Sequence, residues 1–78
     1  MMALTHGKLL AYLNDTLSIG DADSEIELFS SGLLDSVSMV NLLAFIEEAT
    51  GTAIRGEDVT LENFDTPARI LRFAEAIV

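Results

Sequence analysis

Residues 35–51 read DSVSMVNLLAFIEEATG and combine the signals that start, continue and end an α-helix. Asp35 and Ser36 both have side-chain oxygens that can accept hydrogen bonds from the free amides of a first helical turn. Apolar residues then recur at three- and four-residue intervals, which is the periodicity of a helix with one buried face. Gly51 can adopt the left-handed conformation that commonly follows a last turn. The segment therefore predicts a helix that begins at Asp35 or Ser36 and runs to Thr50.

The two long faces of this helix differ in composition. At about 100° per residue, four apolar side chains fall on one arc and are predicted to face the core: Met39, Leu42, Leu43 and Ile46. The opposite side and its shoulder carry both apolar and polar side chains: Val37, Val40, Asn41, Ala44, Glu47 and Glu48. We call these six residues the docking strip. An apolar strip with an acidic rim is typical of a transient docking surface, although single exposed hydrophobic residues are also common.

The segment before this helix predicts another helix and a long loop. Leucines recur at three- and four-residue intervals over about residues 4–17, which predicts an amphipathic helix. Residues 18–35 are rich in glycine, serine and aspartate, which are residue types that favour turns. Four apolar side chains are expected to pin this loop to the core: Leu28, Phe29, Leu33 and Leu34. An ordered loop of such length in a compact domain is usually functional.

The C-terminal segment predicts one short helix and one long helix. A helical turn is expected near residues 60–64, and Pro67 suits the first position of a last helix with Asp65 or Thr66 as its cap. The inner stripe of that helix would be Ile70, Phe73, Ala74 and Ile77. Strand patterns are absent from the sequence. It therefore predicts an all-α fold of one domain over residues 1–78, a small four-helix bundle with three long helices, one short one and a long loop between helices 1 and 2.

The charge of the chain limits the classes of partner. The formal net charge is −9, and all of the net negative charge lies between residues 21 and 65. Nucleic acid and anionic membrane surfaces are poor partners, because both are bound through Lys and Arg. No apolar run is long enough to span a membrane, and the N-terminus lacks the features of a secretory signal. We expect a cytoplasmic monomer whose acidic region either steers it toward basic partners or keeps a small apolar domain soluble.

The sequence shows no machinery for catalysis. It has no cysteine and no glycine-rich phosphate loop, and its one histidine, His6, belongs to a different helix from Ser36 and is expected to face solvent. The acidic run at residues 21–25 does not fit a calcium-binding loop. An EF-hand requires glycine at its sixth position and glutamate at its twelfth, where this chain has Ile26 and Gly32. We therefore expect neither an enzyme nor a metal site.

Residues 28–37 read LFSSGLLDSV, and this segment resembles the attachment motif of acyl carrier proteins, in which a glycine, one or two apolar residues and Asp-Ser-Leu follow one another. The predicted order of helices is similar to that family along nearly the whole chain. The resemblance implies that Ser36 carries a 4′-phosphopantetheine arm, which a separate phosphopantetheinyl transferase adds from coenzyme A. It also implies that Asp35 presents the serine and contacts the transferase. The thiol at the end of the arm would then hold an acyl group as a thioester.

The motif departs from the family pattern at three positions. Val37 stands where the family has leucine, and Ser38 and Asn41 are neutral where carriers of bacterial fatty-acid synthesis tend to be acidic. These departures leave the pathway open between fatty-acid synthesis, lipid modification, a polyketide or peptide pathway, and amino-acid transfer. With Met at residue 1 and no linker sequence at either end, we expect a freestanding carrier.

The resemblance also implies partners and a place for the cargo. Enzymes that load and process the acyl or aminoacyl group would dock through basic surfaces on the docking strip. An acyl chain would enter between the inner faces of the second and last helices: Met39, Leu42, Leu43, Ile46, Ile70 and Phe73. A hypothesis from a different class also remains. It is an unmodified acidic adaptor that binds a basic partner through the same strip.

Overall fold

A computed structural model describes residues 4–77, and within that range every regular element is a helix and no strand is present. The helices that we number are four: α1, His6–Ala11; α2, Ser36–Thr50; α3, Leu61–Phe64; and α4, Pro67–Ile77. A π-helical turn, Tyr12–Thr16, continues α1, and a 3₁₀ turn, Gly56–Asp58, precedes α3. The predicted all-α bundle of four helices is confirmed. The domain bounds 1–78 stay a prediction, since residues 1–3 and 78 lie outside the described range.

The predicted first helix corresponds to α1 together with the π-helical turn that continues it, so the helical run extends from His6 to Thr16 and its last turn is widened. Thr5 caps α1 by accepting a hydrogen bond from the backbone N–H of Lys8 at 3.1 Å. The backbone N–H of Leu17 reaches the carbonyl of Tyr12 at 3.2 Å, which is the spacing of a π-helix. Ser18 then takes a left-handed φ of 61° and the helix ends.

The core lies where the helices face one another, and the long loop helps to enclose it. Eight buried hydrophobic side chains form one cluster, with members from all four helices, the π turn and the loop: Leu9, Leu13, Leu28, Leu34, Leu42, Ile46, Phe64 and Ile70. The aromatic rings of Tyr12 and Phe45 stack at a centroid distance of 4.1 Å beside this cluster and join the π turn to α2.

The loop between the first two helices is held to the core by three of its four predicted anchors. Leu28 and Leu34 are buried and Phe29 is half-buried, whereas the prediction for Leu33 is wrong, because this side chain is 52% exposed. The backbone explains the difference. The N–H of Leu34 donates to the carbonyl of Leu28 at 2.8 Å, and the N–H of Gly32 to that of Phe29 at 3.1 Å. In this closed turn, burial of Leu34 leaves its neighbour Leu33 on the solvent side.

The corner between α3 and α4 separates the two predicted caps of the last helix. Thr66 is the cap, since its Oγ1 accepts from the backbone N–H of Arg69 at 3.2 Å. The Asp65 side chain turns away from α4 toward the long loop. Its Oδ1 accepts from the backbone N–H groups of Phe29 and Ser30, both at 2.9 Å, and its Oδ2 accepts from the Ser30 hydroxyl at 2.7 Å. The corner therefore holds the loop that leads to α2.

Candidate functional site

Ser36 is the first residue of α2, and its side chain is exposed. Asp35 has extended backbone angles, φ −106° and ψ −172°, so the chain enters the helix through a sharp change of direction at this position. The N-terminal amides of an α-helix have no partner within the helix, and the aligned peptide dipoles place partial positive charge there. An exposed hydroxyl at this end of a 15-residue helix therefore suits the covalent attachment of a phosphate group.

Asp35 caps the helix that carries Ser36. Its Oδ1 accepts a hydrogen bond from the backbone N–H of Ser38 at 2.9 Å. This backbone hydrogen bond lowers the pKa of the Asp35 carboxyl below its ordinary value, and the side chain of Ser38 contributes in the same direction. The carboxylate is therefore ionised at neutral pH, next to the serine hydroxyl. The structure shows that Asp35 caps the turn that begins with Ser36, and its role in presenting the serine stays a prediction.

The docking strip is exposed except at one position. Val37 and Val40 are 68% and 64% exposed, and Asn41, Ala44 and Glu48 also face solvent. These five residues form a continuous face of α2 that begins next to Ser36. The role of this face in partner binding stays a prediction.

Glu47 is the exception, because its carboxylate is used inside the fold. It is half-buried, and its Oε2 accepts from the backbone N–H of Ile54 at 2.7 Å. The left-handed turn at Gly51, with φ 71°, brings the chain back so that Ile54 reaches this carboxylate. The helical pattern of α2 does not show this contact, because it depends on the path of the chain after the helix.

Two exposed leucines lie outside the docking strip. Leu33 and Leu61 are each 52% exposed, and with Val37 and Val40 they are the large hydrophobic side chains that residues 4–77 leave most open to solvent. Leu33, Val37 and Val40 flank Ser36 in sequence. The surface near Ser36 is therefore more apolar than the sequence analysis indicated, because Leu33 was expected in the core.

The predicted acyl-chain pocket is packed as part of the core. Leu42, Ile46 and Ile70 are wholly buried, and three others are half-buried against them: Met39, Leu43 and Phe73. The structure thus brings the six residues together in one cluster, and whether a chain enters between them stays a prediction. A cavity of about 250 Å³ lies at a different place, between α1 and α2, and is lined by Lys8, Phe45, Glu48 and Ala49.

Among the other titratable residues that the structure describes, His6 links two elements of the fold. His6 is exposed, as expected, and its Nε2 lies 2.8 Å from the Ser24 hydroxyl, which links α1 to the long loop. Within residues 4–77, no group of His, Asp and Glu side chains is arranged to hold a metal ion. In the same part of the chain, no helix has the length and apolar character needed to cross a membrane.

Comparison with known proteins identifies a family and relatives that this chain resembles. Residues 7–74 match the family described as "Phosphopantetheine attachment site". The chain is similar to the D-alanyl carrier protein of Abiotrophia defectiva, with 40% identity over 53 residues that cover 68% of this chain and 67% of that protein. It is also similar to the D-alanyl carrier protein of Enterococcus faecalis, with 38% identity over 55 residues that cover 70% of each chain. No solved structure gives a significant match.

Proposed function

Because the chain belongs to the family of phosphopantetheine-dependent carrier proteins, we propose that Ser36 is its attachment residue and that an aminoacyl group, D-alanine, is its cargo. The cofactor of the family is 4′-phosphopantetheine, so cargo is held as a thioester on the thiol of this arm. The protein is thus a carrier, and the chemistry of loading and transfer belongs to separate enzymes. The single observation that supports Ser36 is its place: an exposed serine, directly after Asp35, at the start of a long helix.

Three serines of the loop are less suited to attachment, because their hydroxyls are used within the fold. The Ser30 hydroxyl donates to Asp65, the Ser31 hydroxyl donates to the carbonyl of Glu27, and the Ser24 hydroxyl lies against His6. Modification at any of these positions would break an existing contact. Modification at Ser36 leaves these contacts in place.

The chain itself has two tasks in the proposed attachment. It must present the Ser36 hydroxyl, and it must stabilise the phosphodiester that forms there. Asp35 serves the first task by fixing the first turn of α2 through the Ser38 amide. The amides and dipole of the helix N-terminus serve the second. In the reaction the Ser36 oxygen forms a bond to the phosphorus that carries the pantetheine, and the pyrophosphate linkage of coenzyme A breaks. Adenosine 3′,5′-bisphosphate leaves, and the transferase accepts the hydroxyl proton.

A small aminoacyl cargo is favoured over a long acyl chain by two observations. Both relatives described above are named D-alanyl carrier proteins. In addition, Leu42, Ile46 and Ile70 are wholly buried and closely packed, so a long chain would have to separate existing core contacts before it gained any burial. A short polar cargo needs no such opening, because it can remain in water.

The proposed function requires partner enzymes, and the surface of α2 supports a proposal for where they dock. They are a phosphopantetheinyl transferase and the enzymes that load and unload the aminoacyl group. We propose that these enzymes dock with basic surfaces on the exposed face of α2, where Val37 and Val40 supply apolar contact and Glu48 supplies charge. The net charge of −9 would raise the rate of encounter with such partners. We further propose that the carrier acts as a monomer in the cytoplasm.

The site is tested by intact mass after incubation with coenzyme A and a broad-specificity transferase. The native chain is expected to gain one phosphopantetheine, and Ser36→Ala is expected to gain none. Ser30→Ala, Ser31→Ala and Ser38→Ala serve as matched controls that should still be modified. Modification of Ser36→Ala would refute the site, and an unmodified native chain would favour the adaptor hypothesis.

The cargo is tested on the holo form. We expect a D-alanine-activating ligase with ATP to form a hydroxylamine-sensitive D-alanyl thioester on this carrier. A fatty-acyl loading enzyme tested at equal concentration should load it poorly. Efficient loading with a medium-chain acyl group and none with D-alanine would overturn the cargo proposal and leave the attachment site intact.

A further inference from the structure

We propose that Asp65 is a positioning residue for the modification of Ser36, because it holds the loop before α2 in the shape that the transferase binds. The inference rests on the proposed attachment at Ser36. It concerns a residue between α3 and α4 that makes no hydrogen bond to the serine or to its helix. Asp65 would act through the loop segment 28–34.

The contacts of Asp65 converge on three consecutive loop residues. Its carboxylate accepts from the backbone N–H groups of Phe29 and Ser30, each at 2.9 Å, and from the Ser30 hydroxyl at 2.7 Å. Its backbone carbonyl accepts from the N–H of Leu28 at 2.6 Å. Only 5% of the Asp65 surface is exposed, and it is the one buried carboxylate among residues 4–77. A buried carboxylate is stable only while it is hydrogen-bonded, so loop and corner are held together as a unit.

The loop connects the contact with Asp65 to Ser36, because hydrogen bonds within the loop fix the segment between them. The N–H of Leu34 donates to the carbonyl of Leu28 at 2.8 Å and closes the segment directly before the capping residue Asp35. The chain between the residues that contact Asp65 and the modified serine is therefore one short turn closed by a hydrogen bond. This turn also presents Leu33, whose side chain is exposed next to the site.

The hydrogen bonds that Asp65 accepts through its side chain all come from the loop, and its other favourable interaction is the charge of Arg69 on α4. The N-terminus of α4 is already capped by Thr66, whose Oγ1 accepts from the N–H of Arg69. The corner itself is anchored in the core by Phe64 and Ile70, which are both fully buried. Its carboxylate therefore accepts hydrogen bonds from the loop, and this loop leads to Ser36.

The test compares Asp65→Ala and Asp65→Asn with Thr66→Ala as the matched control. Thr66→Ala weakens the same corner by removing a helix cap, but it leaves every hydrogen bond to the loop in place. Transferase kinetics are measured at a temperature at which circular dichroism shows each variant to be folded. Loss of a fixed loop reduces the fraction of carrier that is ready to bind, which raises KM and leaves kcat unchanged.

Asp65→Ala is expected to raise KM by about tenfold, in line with the loss of hydrogen bonds to a charged group. Asp65→Asn should fall between Ala and native, because an amide oxygen can still accept from the two backbone N–H groups. Thr66→Ala should keep the native KM. Amide hydrogen exchange of Phe29 and Ser30 should accelerate in Asp65→Ala while the amides of α2 stay protected.

Two results would overturn the inference. One is a native KM in Asp65→Ala. The other is an equal rise of KM in Thr66→Ala, which would show that Asp65 affects modification only by stabilising the fold. If Asp65→Ala does not fold, Ser30→Ala tests the inference in its place. This variant removes only the hydrogen bond from the Ser30 hydroxyl to Asp65, and it should raise KM by a few-fold. A native KM in Ser30→Ala would then count against the inference. Absence of modification in the native chain would instead refute the proposed function itself.

Discussion

Glu47 and Glu48 are adjacent carboxylates in the last turn of α2, yet we expect Glu47→Ala to destabilise the protein and Glu48→Ala to leave its stability nearly unchanged. Glu47 accepts from the backbone N–H of Ile54 at 2.7 Å, whereas Glu48 is exposed. Both substitutions remove one negative charge near the C-terminus of a helix and exchange the same two residue types. The effects on helix propensity and on the helix dipole therefore cancel in the comparison.

The difference between the two variants follows from the one hydrogen bond. A hydrogen bond to a charged group contributes about 1.5–3 kcal/mol when the alternative is an unsatisfied buried partner. Glu47 is half-buried, so water replaces part of the lost contact, and we take a value below that range, about 1 kcal/mol. For a domain of this size, each kcal/mol lowers the Tm by about 4–8 °C. Glu47→Ala should therefore melt about 4–8 °C below Glu48→Ala.

Thermal denaturation followed by circular dichroism measures this difference, and amide exchange at Ile54 reports the contact directly. The exchange rate at Ile54 should rise in Glu47→Ala only. Association with a basic loading enzyme should show the opposite pattern, because Glu48→Ala should slow it and flatten its salt dependence. Equal melting temperatures in the two variants, or an unchanged exchange rate at Ile54, would refute the structural role of Glu47.

Further predictions concern acid stability, backbone conformation, docking and cargo. Burial opposes ionisation of Asp65, but hydrogen bonds from the loop outweigh it and lower its pKa in the folded protein. The free energy of unfolding, measured by urea titration, should thus fall as the pH drops through the pKa of Asp65 in the folded protein. The decrease should be smaller in Asp65→Asn, which has no carboxyl group at this position. Gly51→Ala, at φ 71°, should cost about 1 kcal/mol, whereas Gly7→Ala inside α1 should stabilise by about 0.5–1 kcal/mol, both read by thermal denaturation. Val40→Glu should keep the native Tm but weaken enzyme loading in a steady-state assay, because its exposed side chain makes few intramolecular contacts. Loading with D-alanine should leave the Tm unchanged, since a small polar cargo remains in water. A medium-chain acyl group that raised the Tm and shifted NMR signals of core residues (Leu43, Ile46 and Phe73) would contradict the argument from the packed core.

The sequence alone determined the helix that carries the candidate site. Both ends of α2 depend on local chemistry: Asp35 accepts from an amide three residues away, and Gly51 supplies the left-handed turn directly after the helix. The motif around Ser36 is also local, because the glycine, the apolar residues and Asp-Ser follow one another in the chain. Such features are readable because each residue acts on its immediate neighbours.

Tertiary structure decided the features that depend on residues far apart in the chain. Asp65 and Thr66 are both good caps by residue type, and only the position of the long loop assigned Asp65 to Phe29 and Ser30. Leu33 has the composition of a core residue, but the closed turn before α2 exposes it. The carboxylate of Glu47 is drawn from the surface by an amide that returns after Gly51. In each case the physical reason is the same: a polar or apolar group finds its partner in space, and hydrophobic periodicity records only which side of a helix a residue occupies.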